Sequence, residues 1–327
     1  MIKRVLVVST LCSALIAHLG CSSPQRAPFF KVKAFETALW LVGSRSYVSF
    51  DGGLTWESRE FGFDCDGGLH PITMSRRISI CGPETLFQTF DRELKVSEDG
   101  GRTWQTIPFA GESRRPPGDV FFRDRQKGIV VNFDGIAYTT EDGGESWIRE
   151  GRHQIWDVVY TDDAAWVLEG KELWRWDSAG TWSLMCELRS TKTITLCQNA
   201  LLIGGFQGYL GRISIESGEL QEDQPPVTVR AGIRSRIESI RCVGGGLAIL
   251  TPFDVLVLTK GTSEWRSVAP EEMEDAWSMD ALGDRLYVVG GDWADWLRGS
   301  LGYRFAFVCQ SRGTAGCEPL NPRDDKQ

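Results

Sequence analysis

The sequence predicts an all-β chain folded as a propeller, a ring of four-stranded antiparallel blades. Three observations predict it. An octapeptide recurs as Ser49-Phe50-Asp51-Gly52-Gly53-Leu54-Thr55-Trp56, Ser97-Glu98-Asp99-Gly100-Gly101-Arg102-Thr103-Trp104 and Thr140-Glu141-Asp142-Gly143-Gly144-Glu145-Ser146-Trp147. Short apolar runs separated by tight-turn residues recur with a period near 40, the length of one blade. No stretch sustains the 3.6-residue apolar period of a helix capped at both ends.

The octapeptide reads as a hairpin turn with its own fastener. Asp-Gly and Gly-Gly supply the positive backbone angles of a tight turn. The carboxylate accepts hydrogen bonds from the turn's own amides, and the flanking hydroxyl residues close the loop from both strands. The tryptophan opens the outgoing strand and offers a flat apolar surface that can seal the gap between adjacent sheets.

Weaker copies follow at Asp177-Ser178-Ala179-Gly180-Thr181-Trp182 and at Thr259-Lys260-Gly261-Thr262-Ser263-Glu264-Trp265. The tryptophans at 56, 104, 147, 182 and 265 are 48, 43, 35 and 83 residues apart. The last interval is about twice the others, so one unit has lost its tryptophan, and Ser214-Ile215-Glu216-Ser217-Gly218-Glu219-Leu220 stands where it should be. A further unit follows Trp265, which makes seven blades. Six is the alternative, because the extra segment 292–299 blurs the register of the last unit. Four strands per unit can be drawn, as in Val120–Phe122, Gly128–Val131, Ile136–Thr139 and Trp147-Ile148. Phe29–Val32 is expected beside the final unit, closing a ring that would otherwise expose sheet edges.

The three octapeptides resemble the BNR or Asp-box repeats of sialidases, sortilin-type receptors and the photosystem II assembly factor family. The resemblance implies that the turn lies on the outside of each blade, between the third and fourth strands and away from the central channel. Asp51, Trp56, Asp99, Trp104, Asp142 and Trp147 are then structural residues. The repeat is specific for architecture and silent on chemistry. The sialidase branch implies a six-bladed ring, an arginine clamp, a tyrosine nucleophile and an Arg-Ile-Pro tripeptide, and that tripeptide does not occur here. The assembly-factor branch implies exported seven-bladed propellers that bind protein and catalyse nothing.

The start of the chain reads as an export signal. Lys3 and Arg4 precede an apolar run, Val5 to Leu19, too short for a comfortable membrane span. Leu19-Gly20-Cys21 resembles the end of a bacterial lipobox, departing from it at His18, and implies that Cys21 is lipidated and becomes the first mature residue. Resemblance to enterobacterial sorting signals, with Ser22 rather than Asp after the cysteine, implies the outer membrane. The division is a signal at 1–20, a short tether at 21–28 and a single propeller at 29–327. Soluble periplasmic or secreted protein is the alternative. Loss of the signal removes Lys3 and Arg4 and moves the formal charge from −8 to −10. That acidic balance argues against a nucleic-acid groove and a polybasic membrane surface, though not against a local basic patch.

Nine cysteines include Cys12 and Cys21. Export permits disulfides, and proximity along the chain suggests Cys65–Cys81, Cys186–Cys197 and Cys309–Cys317, with Cys242 left free on an inner strand. Beyond the signal only His70 and His153 remain, without zinc-type spacing, so neither metal nor cofactor is expected. The candidate partner-binding residues are Asp292, Trp293, Asp295 and Trp296 in the inserted loop, with Trp156-Asp157 and Trp277 near inner-strand starts. Aromatic side chains are favoured at binding centres, whereas packing between blades would equally account for Trp156 and Trp277. The expected function is an exported, membrane-anchored, non-enzymatic scaffold that binds a protein or a membrane assembly. A sialidase-type glycoside hydrolase and a carbohydrate-binding surface protein are the alternatives.

Overall fold

The structure, a computed structural model, describes residues 29–43, 45–61, 76–90, 92–109, 116–223, 236–270, 273, 275–291, 304–311 and 317–320. Cys21, Cys65, His70, Asp292, Trp293, Asp295 and Trp296 lie outside the described residues.

Seven four-stranded antiparallel sheets form a seven-bladed propeller, and each blade is filled in chain order. Blade 1 is β1–β4 (Phe29–Ala34, Leu39–Gly43, Ser46–Ser49, Glu57–Arg59) and blade 2 is β5–β8 (Ile78–Ile80, Leu86–Phe90, Glu93–Ser97, Gln105–Ile107). Blade 3 is β9–β12 (Pro117–Phe122, Gly128–Asn132, Ile136–Thr140, Ile148–Arg152) and blade 4 is β13–β16 (Ile155–Tyr160, Ala164–Glu169, Glu172–Asp177, Trp182–Glu187). Blade 5 is β17–β20 (Thr193–Cys197, Ala200–Gly204, Leu210–Ser214, Leu220–Asp223) and blade 6 is β21–β24 (Ser239–Val243, Gly246–Thr251, Asp254–Leu258, Trp265–Ser267). Blade 7 is β25–β28 (Ala276–Leu282, Arg285–Gly291, Arg304–Gln310, Cys317–Pro319).

The second strand is buried along its whole length in blades 1, 3 and 5 (Leu39–Gly43, Gly128–Asn132 and Ala200–Gly204) and along most of it in the others, because both of its faces meet a neighbouring blade. Such a strand reads as a continuous apolar run rather than an alternation. The core is correspondingly divided into seven apolar clusters, each straddling one seam between blades.

The first strand of each blade lines the axis. Neighbouring first strands do not pair with one another, so their backbone groups need other partners. Side chains from the preceding blade of the ring supply them. Ser79 Oγ accepts from Phe122 N–H at 2.9 Å, and Thr195 Oγ1 donates to the Ile240 carbonyl at 2.7 Å. Lys31 Nζ donates to the Ile78 carbonyl at 2.6 Å. At the closing seam, β1 packs against β25, where Ala34 N–H donates to Asp280 Oδ2 at 2.8 Å and Val32 N–H to Ser278 Oγ at 3.2 Å.

Antiparallel order gives the ring two different ends. At one end lie the turns from first to second strands and from third to fourth strands, including the octapeptides; this is the box end. At the other, the mouth end, every inner strand begins and every second strand turns into the third.

The cysteine pairing departs from expectation. Cys197 is joined to Cys242, not to Cys186, and Cys186 and Cys81 are free. Cys242 is exposed and bonded rather than free. The two partners are 45 residues apart, one blade period, on adjacent inner strands β17 and β21. In a ring of repeats the spatial neighbour of a residue is its counterpart one blade away, so proximity along the chain is the wrong measure. Cys309 and Cys317, eight residues apart, are joined across β27 and β28 of one blade.

Candidate functional site

The octapeptide turns are built alike. In blade 1, Asp51 Oδ1 accepts from Leu54 N–H at 3.0 Å, Thr55 N–H at 2.9 Å and Ser49 Oγ at 2.7 Å, while Oδ2 takes the Thr55 hydroxyl at 2.6 Å. Asp99 repeats the pattern with Arg102, Thr103 and Ser97, and Asp142 repeats it with Ser146 and Thr140. Hydroxyl and amide donors favour the charged carboxylate. Led by the Thr55 hydroxyl, they hold Asp51 at about 2, and those led by Ser146 hold Asp142 at about 2. Thr103 leads the donors that hold Asp99 well below the usual carboxylate range. Both glycines of each turn have positive φ, and a Cβ on Gly144 would sit 2.5 Å from Ile107 of the preceding blade.

The tryptophan of each box packs backward onto the preceding blade. Trp56 joins Tyr287 and Val289 of blade 7, Trp104 joins Trp40 and Phe61 of blade 1, and Trp147 joins Val96 and Ile107 of blade 2. Trp182 and Trp265 do the same on blades 3 and 5. These carboxylates fasten their own turns and the rings pack blade against blade, on the rim, away from the axis.

The chain is a seven-bladed β-propeller whose first half is similar to BNR/Asp-box repeat proteins. Residues 30–171 match the family described as photosynthesis system II assembly factor YCF48. Over 110 residues it is 29% identical to the photosystem II assembly protein Ycf48 of Synechococcus sp. (strain JA-2-3B'a(2-13)), a stretch amounting to 33% of this chain and 32% of that protein. Thus the match spans about a third of the curated relative's length. Among solved structures, YCF48 bound to D1 peptide aligns with a TM-score of 0.61 at 17% identity, covering 82% of this chain and 91% of that one. YCF48 from Cyanidioschyzon merolae aligns with a TM-score of 0.58 at 17% identity, covering 82% and 94%. PorZ, a surface component of the type-IX secretion system of Porphyromonas gingivalis, aligns with a TM-score of 0.60 at 12% identity over 91% of this chain and 39% of that one. At these identities the solved structures show a shared fold.

The other concentration of chemistry in this propeller is on the axis. A cavity of about 340 Å³ opens at the mouth end and is lined by Arg76, Trp156, Asp157, Lys192, Phe206, Arg236, Glu238 and Trp277, with Lys31 and Arg241 deeper in. Trp156 and Trp277, singled out from the sequence, therefore share one cavity. Arg76 spans the channel from blade 2, donating to the Ile155 carbonyl at 3.0 Å and pairing with Asp119 at 3.2 Å, with its guanidinium 5.7 Å from the Trp156 ring. Arg236 lies 6.0 Å from the Trp277 ring, and Trp277 Nε1 donates to the Gly291 carbonyl at 3.1 Å. An arginine over an aromatic face is a cation–π pair that still offers N–H donors to a ligand.

The axial carboxylates are committed to the protein itself. Asp157 Oδ2 accepts from Thr193 Oγ1 and Ile194 N–H, each at 3.0 Å, bracing blade 4 against blade 5; burial pushes its carboxyl up, against those donors. Glu238 is buried between Lys192 and Arg236. Asp280 pairs with Arg241 at 2.7 Å and Lys33 at 3.4 Å; burial works against its charge, but these partners and Ala34 N–H bring it below the ordinary value. Burial lowers Lys31 to about 8 and also lowers Lys192. No described group of three or more His, Cys, Asp or Glu side chains is placed to hold a metal ion.

Arg76, Lys192, Arg236 and Phe206 are not among the residues that the sequence singles out. A signal was present: Arg76, Lys192 and Arg236 each stand one to three residues ahead of an inner strand. A cation thus recurs just ahead of the inner strand in blades 2, 5 and 6.

Proposed function

We propose that the chain is an exported, membrane-anchored scaffold that performs no chemistry and holds a segment of a partner protein at its channel mouth. The carrying observation is the composition of that mouth. Guanidinium groups of Arg76 and Arg236 lie over Trp156 and Trp277, beside exposed Phe206, while the axial carboxylates are engaged in ion pairs and backbone bonds. Such a surface favours an extended segment carrying acidic and apolar side chains. The likeness to YCF48 solved with a D1 peptide supports a peptide-holding role. Anchoring is assigned to Cys21. Asp292, Trp293, Asp295 and Trp296, which lie outside the described residues, are proposed as further partner-binding residues on their residue types alone.

The test is binding to a peptide library of graded charge. Acidic peptides with an aromatic residue should bind, basic ones should not, and Trp156→Ala with Arg236→Gln should weaken capture at least about tenfold. Trp293→Ala with Trp296→Ala should weaken capture while melting stays near wild type. Equal binding of acidic and basic peptides would overturn the reading, as would turnover of a sialoside or another glycoside in a broad substrate screen.

A further inference from the structure

The boxes of blades 1–3 fill space as well as fastening their turns. Each lays its second glycine against the outer edge of the preceding blade. A Cβ on Gly53 would sit 3.3 Å from Leu320, one on Gly101 2.9 Å from Phe61, and one on Gly144 2.5 Å from Ile107. The turns are long enough to reach that far. Val48 pairs with Glu57, Val96 with Gln105 and Thr139 with Ile148, leaving 49–56, 97–104 and 140–147 for the turns. In blade 6, Leu258 pairs with Trp265, so its turn has only 259–264 and neither the aspartate nor the glycine pair.

A cleft of about 250 Å³ lies in the seam between blades 5 and 6, beside this shorter turn. Its walls are mainly apolar, with Ala200 and Leu202 on blade 5 and Leu247 and Leu258 on blade 6. The Cys197–Cys242 disulfide joins the two walls and limits how far they can part. A site held open in this way needs little ordering when a ligand enters. At about 30 Å³ for each water-sized group, it has room for about eight heavy atoms.

The charges that line the cleft are of one sign. Arg212, opposite Leu202 in the blade 5 sheet, and Lys260 both line it, and no carboxylate does. Neither cation is held in an ion pair among the described residues. Glu216 and Glu219 share a separate depression with Arg212, and neither pairs with it. Lys260 is positioned by its neighbour: a Cβ on Gly245 would sit 3.2 Å from Lys260 Cδ, so the bare glycine backbone lets the stem lie close.

An apolar slot edged by two unpaired cations selects an apolar chain with one negative head. A phosphate head would use most of the available atoms and leave the leucine walls uncovered, whereas a carboxylate leaves room for a tail. We propose that the cleft between blades 5 and 6 is a second binding site, which takes a small apolar carboxylate of about six carbons. The site stands at the box end, where β17 and β21 finish, and is independent of peptide capture at the mouth.

Titration of the full, oxidised chain with hexanoate, read from leucine methyl resonances, tests it. Leu202, Leu247 and Leu258 should shift and saturate. Acetate keeps the head without the tail, and hexylammonium keeps the tail and reverses the head; each should bind at least about tenfold more weakly. Arg212→Gln with Lys260→Gln should weaken hexanoate binding about tenfold with melting unchanged, because neither cation is paired in the fold. Trp156→Ala at the opposite end should leave hexanoate binding unaltered. Equal binding of hexanoate and hexylammonium, shifts that do not saturate or that fall away from these three leucines, or an unaffected double variant would overturn the proposal.

Discussion

In blades 1–3 the turn between the third and fourth strands is fastened by a carboxylate, whereas in blade 7 the corresponding strands are joined by Cys309–Cys317. Blades 5 and 6, which also lack the box, are stapled to each other through Cys197–Cys242. Blade 4 lies between the two regimes: Asp177 still accepts from Thr181 N–H at 3.0 Å, but Arg175 stands where the hydroxyl residue should be and Ser178-Ala179 replace the glycine pair. One architecture is thus secured by hydrogen-bonded charge in its first half and by covalent bonds in much of its second. The family match ends at residue 171, close to where the boxes end, because the boxes carry much of the recognisable sequence.

The comparison is sharpest under reduction. A disulfide acts largely by restricting the unfolded chain, so the longer loop should matter more. Loss of Cys197–Cys242, which closes a 45-residue separation, should cost up to about 4 kcal/mol. Loss of Cys309–Cys317, across eight residues, should cost about 2.5 kcal/mol. Paired Ser substitutions followed by hydrogen exchange should lower protection in blades 5–7 first and leave blades 1–3 protected. Uniform loss around the ring would show that the halves are not separately secured.

How far each half could be read from sequence follows from the same division. The octapeptides announce their own geometry, since every bond of the turn lies within eight residues. Blade spacing then places β9–β11 close to their observed positions. Cys197 and Cys242 were not legible, because their contact runs between blades and proximity favoured Cys186. The channel mouth was illegible for the same reason. Arg76, Trp156, Lys192, Arg236 and Trp277 come from five different blades, and no short motif contains two of them.

Acid should act on the opposite half. The box carboxylates have folded values below the ordinary 3.8, with Asp51 and Asp142 at about 2. A depressed folded value means that the stabilisation is complete above the unfolded value and is lost as pH falls through the folded one. Stability conferred by the three boxes should therefore be flat above about pH 5 and decline between there and about pH 2. Denaturant midpoints across this range should fall for the wild type, and the decline should be much shallower in a triple Asp51→Asn, Asp99→Asn and Asp142→Asn variant. Identical profiles would mean that other carboxylates govern acid sensitivity.

The smallest expected effect grades the fastener itself. Asp99 collects two backbone amides and two hydroxyl groups, at 3.0, 2.9, 2.9 and 2.6 Å, whereas Asp177 collects two amides and no hydroxyl. Both turns are exposed, so water can replace part of what is lost, and the loss should be modest. Asp99→Ala should lower the melting temperature by a few degrees, and Asp177→Ala by less, with peptide capture unchanged in both because neither residue lines the mouth. The order of the two variants is the informative quantity. If Asp177→Ala is the more damaging, the hydroxyl groups contribute little and the backbone amides carry the box. If Asp99→Ala keeps its melting temperature but loses capture, the box end and not the mouth is the binding surface.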